Sequence, residues 1–233
     1  MQEYVINIIK RLFQMCGMEI RRKPLMGLDL FLYQTKLPKE ILVPLREDSL
    51  FLDVGGYAGA CSEGIYEAFN CNIICFEPSL SAFKFLEWKF FGIEKIKLEH
   101  CALLDKEGTA SLYHKSNFDG NSLFKSLIGP IDDEGSCSHE SVKTIDITHY
   151  LRSSRINKID LMKLNCEGGE WCILKSLIDS GLIASVKQII VQWHGDACSL
   201  DVRKDIWRNL SKSHDVFKYH PAWQLYRLKE EPF

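Results

Sequence analysis

Four short stretches carry residues able to do chemistry. The first is "DVGGYAG", where Asp53 stands two residues before Gly55 and six before Gly59. An acid followed by small residues lets a backbone pass close to a ligand, and it suits a ligand without phosphates, which a carboxylate would repel. A dinucleotide loop needs G-x-G-x-x-G, but counting from Gly55 the glycine positions hold Tyr57 and Ala60. A phosphate-binding P-loop needs Lys-Ser/Thr after its last glycine, and none follows. The second stretch, "ICFEPS", ends in Glu77, whose two oxygens can accept from both hydroxyls of a ribose. As a plain alternative, Glu77 complements the dipole of the helix behind it. The third, "LNCEGGE", places Asn165 and Glu167 before a double glycine, which marks either a crowded site or a helix cap. The fourth, "VQWHGD", offers His194, a proton acceptor near neutral pH, with Glu167 and Asp196 as further candidates.

These residues need a frame that brings them together. From Leu50 on, short apolar runs alternate with amphipathic ones. "LFLDV", "NIICFE", "KIKLEH", "VKTIDI", "DLMKLNC" and "VKQIIVQWH" read as strands. "ACSEGIYEAF", "SLSAFKFLEWKFF", "EWCILKSLIDSG" and "SLDVRKDIWRNLSK" read as helices. Such alternation implies an α/β fold, a mostly parallel sheet with helices on both faces, and ligands at the C-terminal strand ends where strand order reverses. The tail "DVFKYHPAWQLYRL" reads as two strands around a turn, an antiparallel pair closing the sheet edge. Residues 115–141 form a polar, Gly-containing stretch, long enough to be a functional cover.

Composition bounds the rest. The 233 residues, 46% hydrophobic and 26% charged, fit one core-forming domain over 47–233. Residues 1–46 form an extension whose first part puts Val5, Ile8, Ile9, Leu12, Phe13 and Cys16 on one helical stripe. That helix packs on its own domain or a second copy, giving a homodimer, or makes peripheral contact with a membrane surface. A net charge of −2 argues against a nucleic-acid partner. Nine irregularly spaced cysteines, with no C-x-x-C pair, read as free thiols rather than a disulfide framework or metal site. With neither a signal-peptide cleavage site nor a transmembrane run, the expected location is cytoplasmic.

In order and spacing, "FLDVGGYAG", "ICFEPS", "CALLDKEG", "VKTIDI" and "IDLMKLNCEGGEW" resemble the FkbM family of S-adenosylmethionine-dependent methyltransferases. The resemblance covers roughly Leu50 to Trp193, and "KLNCEGGEW" is its most specific part. It implies a class I, Rossmann-like, seven-stranded sheet with an antiparallel final strand, and methyl transfer to a hydroxyl oxygen, often of a sugar or glycan. It also implies that Asp53, Gly55 and Gly59, with Gly56 and Tyr57 between them, cradle the amino-acid end of S-adenosyl-L-methionine. Glu77, followed by Pro78, would hold the ribose, and Cys101 and Ala102 would border the adenine.

Three positions depart from the family pattern. Gly56-Tyr57 stand where Ala-Asn is common, Asn165 where Asp is common, and Gln192 where Glu is frequent. Losing two acids beside the reacting centre argues against a metal or a carboxylate-base role and raises a second reading, a catalytically weakened cofactor-binding protein acting as an assembly partner. A nicotinamide-dependent oxidoreductase is a third, disfavoured by the glycine spacing.

Overall fold

Five apolar-rich residues stopped by two glycines form the strand β1 (Leu50–Val54). The structure is a computed structural model, and it describes residues 45–114, 121–124, 139–219 and 223–229, without the side chains of residues 196, 218 and 219. Behind β1 follow α1 (Ala60–Phe69), β2 (Asn72–Phe76), α2 (Leu80–Lys89), β3 (Ile96–Glu99), β4 (Ala102–Leu104) and β5 (Gly108–Tyr113). Then come β6 (His139–Asp146), α3 (Ile147–Ser153), β7 (Leu161–Leu164), α4 (Glu170–Asp179), β8 (Gln188–Gln192), α5 (Leu200–Ser213), β9 (His214–Tyr219) and β10 (Trp223–Leu228). The amphipathic N-terminal extension lies outside the described residues, except for Leu45, which is buried, and Arg46, whose N–H donates to the Ser49 hydroxyl.

The main sheet has seven strands in the order β3-β2-β1-β7-β8-β10-β9. Strands β1, β2, β3, β7 and β8 pair in parallel, each return passing through a helix or a longer connection. Only β10 runs against its neighbours, so the expected mostly parallel sheet with an antiparallel final strand is present. The tail hairpin does not simply extend the edge. Its second strand enters between β8 and β9, and β9 becomes the outer strand.

Helices cover both faces. Leu52, Val54, Met162, Leu164, Ile189 and Val191 point to the side of α3, α4 and α5. Phe51, Ile73, Cys75 and Leu161 point to the side of α1 and α2. This alternation along β1 is the two-residue period of a strand buried on both sides.

One strand of the expected alternation belongs elsewhere. "VKTIDI" lies in β6, the centre of a separate three-stranded sheet in the order β4-β6-β5. The reason is its burial: β6 alternates exposed and buried residues, whereas β7 is buried at all four positions. A strand with one wet face cannot occupy the middle of a parallel sheet. Because β6 begins at His139, residues 139–141 are strand rather than the end of the polar stretch. Among the described residues, no helix is long and apolar enough to cross a membrane.

Candidate active site

Strand order reverses between β1 and β7, and the site gathers at the C-terminal ends of these strands and of β2 and β8. The glycine loop after β1 is shaped first by the protein itself. Gly55 has φ +84°, and a Cβ there would lie 1.9 Å from the carbonyl oxygen of Asn165. A Cβ on Gly56 would lie 2.2 Å from the Cys75 sulfur. The N–H groups of both glycines donate to the Phe76 carbonyl at 3.0 Å. Close backbone approach does require these glycines, and the nearest neighbour is the turn after β7. Gly59, with φ +72°, opens α1 against Leu86 and Phe90.

Asp53 lies beneath the cavity rather than in its wall. It is fully buried, with Oδ1 2.9 Å from the Lys163 ammonium, and Oδ2 accepts from the Ser62 hydroxyl at 2.7 Å. Lys163 is its direct neighbour in the β1–β7 register. The ammonium also donates to the Gly55 carbonyl at 2.5 Å. Burial works against the Lys163 charge, but the Asp53 carboxylate outweighs it and holds the pKa above its ordinary value. Asp53 thus acts on the loop through Lys163, with no contact of its own on the cavity.

Above this floor is a cavity of about 820 Å³ lined by Gly55, Gly56, Tyr57, Glu77, Pro78, Cys101, Ala102, Lys163, Asn165, Glu167 and Gln192, among others. Glu77 is buried, and its oxygens accept from the N–H of Tyr57 at 2.7 Å and of Ser79 at 2.8 Å. Burial raises its pKa, and those two N–H groups act the other way. A carboxylate oxygen has about two acceptor sites, so each keeps room for a second donor. Tyr57 meets Glu77 by adopting φ +46°. Cys101 closes the far wall, its thiol pushed up to about 12 by burial and, next, by Glu99.

S-adenosylmethionine fits these residues. Glu77 matches a pair of ribose hydroxyls, Cys101 and Ala102 give an apolar border for a purine, and the volume is that of a small-molecule site. Lys163 is the one cation among the described lining residues, and Asp53 and Gly55 already engage it. A pyrophosphate would find no free positive charge here. A sulfonium with an ammonium group needs none.

At the ends of β7 and β8 the chemistry changes. Glu167 has φ +50° and lines the cavity, and its carbonyl accepts from the Ser122 hydroxyl at 2.7 Å. Ser122 belongs to 121–124, the one described piece of the polar stretch, and it bridges to Tyr113 of β5. The remainder of the expected cover lies outside the described residues. His194 sits between two carboxylates. Its Nε2 is 3.4 Å from Glu167 Oε1, and its Nδ1 is 3.0 Å from Glu170 Oε1. Burial lowers its pKa, but the bonds to Glu167 and Glu170 more than reverse this and raise it to about 10.

The two flanking carboxylates favour the protonated ring, and this works against the expected role of His194 as a proton acceptor at neutral pH. Glu167, the other carboxylate candidate, stands in the cavity wall. Asn165 also lines the cavity, and its side-chain oxygen is buried without a hydrogen-bond partner among the described residues. The side chain of Asp196 lies outside the described ones.

The structure therefore brings together Gly55, Gly56, Tyr57, Glu77, Pro78, Cys101, Ala102, Asn165 and Glu167 around one space. It leaves Asp53, Gly59 and His194 behind the wall. Sequence reasoning missed Lys163 and Glu170. A lone lysine in the apolar run "LMKL", level with a lone aspartate in "LFLDV", was a readable sign of a buried pair. Glu170 carried no comparable sign, because an acid in the first turn of a helix is ordinary.

Several solved structures align with the chain. A putative rRNA-methylase from Clostridium thermocellum aligns with a TM-score of 0.47 at 11% identity, over 90% of this chain and 100% of that one. Precorrin-6y C5,15-methyltransferase from Geobacter metallireducens GS-15 aligns at 0.43 and 12% identity, over 86% of each chain. A fibrillarin pre-rRNA processing protein from Methanococcus jannaschii aligns at 0.44 and 10% identity, over 81% of this chain and 70% of that one. None of the curated proteins matches this chain. The sequence profile of the Methyltransferase FkbM domain matches residues 53–217, which runs from Asp53 of β1 into β9 and takes in both halves of the cavity. The chain belongs to the FkbM methyltransferase family.

Proposed function

We propose that the protein moves a methyl group from S-adenosylmethionine to a hydroxyl oxygen of a sugar, a glycan or a related small molecule. The family makes the chain a methyltransferase. The observation that carries the cofactor is the buried Glu77 at the end of β2, in a cavity whose one described cation is already paired. When bound, S-adenosylmethionine supplies an electrophilic methyl group on a positive sulfur. The residues do the remaining work. Glu77 would hold the ribose, and the loop at Gly55–Tyr57 would cradle the amino-acid end. Asn165 and Gln192 offer side-chain oxygens to acceptor hydroxyls, and Glu167 takes the proton that the reacting hydroxyl loses. Holding the acceptor in line supplies much of the rate, and a positioned base adds about 10²–10⁴-fold. Glu77 and Glu167 favour a neutral acceptor over an anionic one, and the net charge of −2 speaks against nucleic acid. The reaction would run in the cytoplasm, in keeping with the free thiols.

The test is transfer of an isotopically labelled methyl group to a panel of neutral sugars and glycans, read by mass spectrometry. The expected product is an O-methyl ether. A second reading, a cofactor-binding protein without turnover, rests on Asn165 and Gln192 standing where acids are common. It prevails if the cofactor binds and no acceptor in the panel is labelled.

A further inference from the structure

Glu170 is fully buried, does not itself line the cavity, and has no part in the chemistry above. It nonetheless ties together three pieces of the site. Its Oε1 accepts from the backbone N–H of His194 at 2.6 Å and faces Nδ1 of that ring at 3.0 Å. Its Oε2 accepts from the N–H of Gly168 at 3.0 Å and lies 3.7 Å from the Cys166 thiol. The other ring nitrogen reaches Glu167. With both carboxylates ionised, only a ring carrying hydrogen on both nitrogens can donate to both. The His194 carbonyl is held as well, by the indole N–H of Trp171 at 2.7 Å. Trp171 in turn packs on Trp193 and Trp207, with ring centroids 4.1 and 5.7 Å away. Arg203 of α5 lies against Gly195, the residue after His194.

We infer that Glu170 is a positioning residue: by fixing both His194 and the Gly168 turn, it holds Glu167 at the cavity wall in the left-handed conformation from which it can take the acceptor's proton. This rests on the methyl-transfer reading above. In the step, the acceptor O–H bond breaks as its oxygen bonds the methyl carbon, and the C–S bond breaks with its electron pair remaining on sulfur. The proton ends on Glu167 and passes to water after the turnover. His194 and Glu170 take no proton in this step.

The experiment titrates the His194 ring by ¹⁵N nuclear magnetic resonance in the full chain, together with calorimetry using S-adenosylhomocysteine. In the wild type both ring nitrogens should carry hydrogen at pH 8. In Glu170→Gln the ring pKa should fall by about 1–3 pH units, because an adjacent opposite charge is removed. Affinity for S-adenosylhomocysteine should stay the same in that variant. With the acceptor found by the labelled-methyl screen, Glu170→Gln should lower kcat by about 10²-fold, and the double variant Glu167→Gln/Glu170→Gln should be no slower than Glu167→Gln alone. If Glu170→Gln does not fold, His194→Gln in the same cycle with Glu167→Gln carries the test. A ring already neutral at pH 8 in the wild type, or losses that multiply in the double variant, overturns the inference while cofactor binding persists. Failure of the methyl-transfer reading shows differently, as a wild-type protein that does not bind S-adenosylhomocysteine.

Discussion

At the ends of β1 and β2, polar groups are satisfied mainly by main-chain partners: Glu77 takes two backbone N–H groups, and the N–H groups of Gly55 and Gly56 share one carbonyl. At the ends of β7 and β8 the bonds run between charged side chains, with Glu167, His194 and Glu170 in a row and the Asn165 side-chain oxygen without a partner among the described residues. The first half is a cradle fixed by main-chain geometry, suited to one cofactor. The second half is held by charge and keeps acceptor capacity in reserve for a substrate. The glycine turn is insensitive to pH, whereas the row of charged side chains is not, so the two halves should fail in different ways.

The largest effect should come from the cradle. Gly55→Val combines a positive φ with a Cβ 1.9 Å from the Asn165 carbonyl. It should cost more than about 4 kcal/mol or prevent folding, as read by urea denaturation. Near-normal stability would mean that the two strand ends do not approach as described. Next comes the floor. Lys163→Met leaves Asp53 buried without its cation, and should cost about 3–5 kcal/mol in the same measurement. Adding Asp53→Leu should recover most of that loss, since an apolar pair of similar size needs no compensation. If the double variant is no better than the single one, the pair is not the reason these residues stand there.

That contrast also explains what the sequence revealed. The cradle was legible because glycine positions and an acid at a strand end are local signals, read within one stretch such as Asp53–Gly59. The parallel sheet was legible for the same reason, as alternation of short apolar runs with amphipathic ones. β6 was placed in the wrong sheet because a run of strand-forming residues does not say which edge it pairs with. Its partners, β4 and β5, are set by tertiary contacts. The acceptor half was only partly legible. Glu167 and Asn165 lay in a distinctive stretch, but the setting of His194 is made by Glu167 and by Glu170, the latter 24 positions away in sequence, and no local pattern encodes that distance.

The smallest effect sharpens the charged half. The His194 pKa is raised from 6.5 to about 10 in the folded chain. A group whose pKa rises on folding stabilises most below its unfolded value, so its contribution is fully present below about pH 6.5 and is lost as the pH rises toward 10. Melting temperatures of the wild type and His194→Gln should therefore differ most near pH 6 and converge as the pH approaches 10. A gap that stays constant across that range would mean that the ring is not held as a cation.

The central claim, a cofactor cradle built around Glu77, is tested most directly by calorimetry with S-adenosylhomocysteine, S-adenosylmethionine and NAD. Both sulfur compounds should bind, NAD should give no heat, and Glu77→Ala should weaken binding by about 10–100-fold, matching the loss of charge-assisted bonds worth about 1.5–3 kcal/mol, without unfolding the protein. Heat from NAD with none from either sulfur compound, or normal binding by Glu77→Ala, would contradict the account.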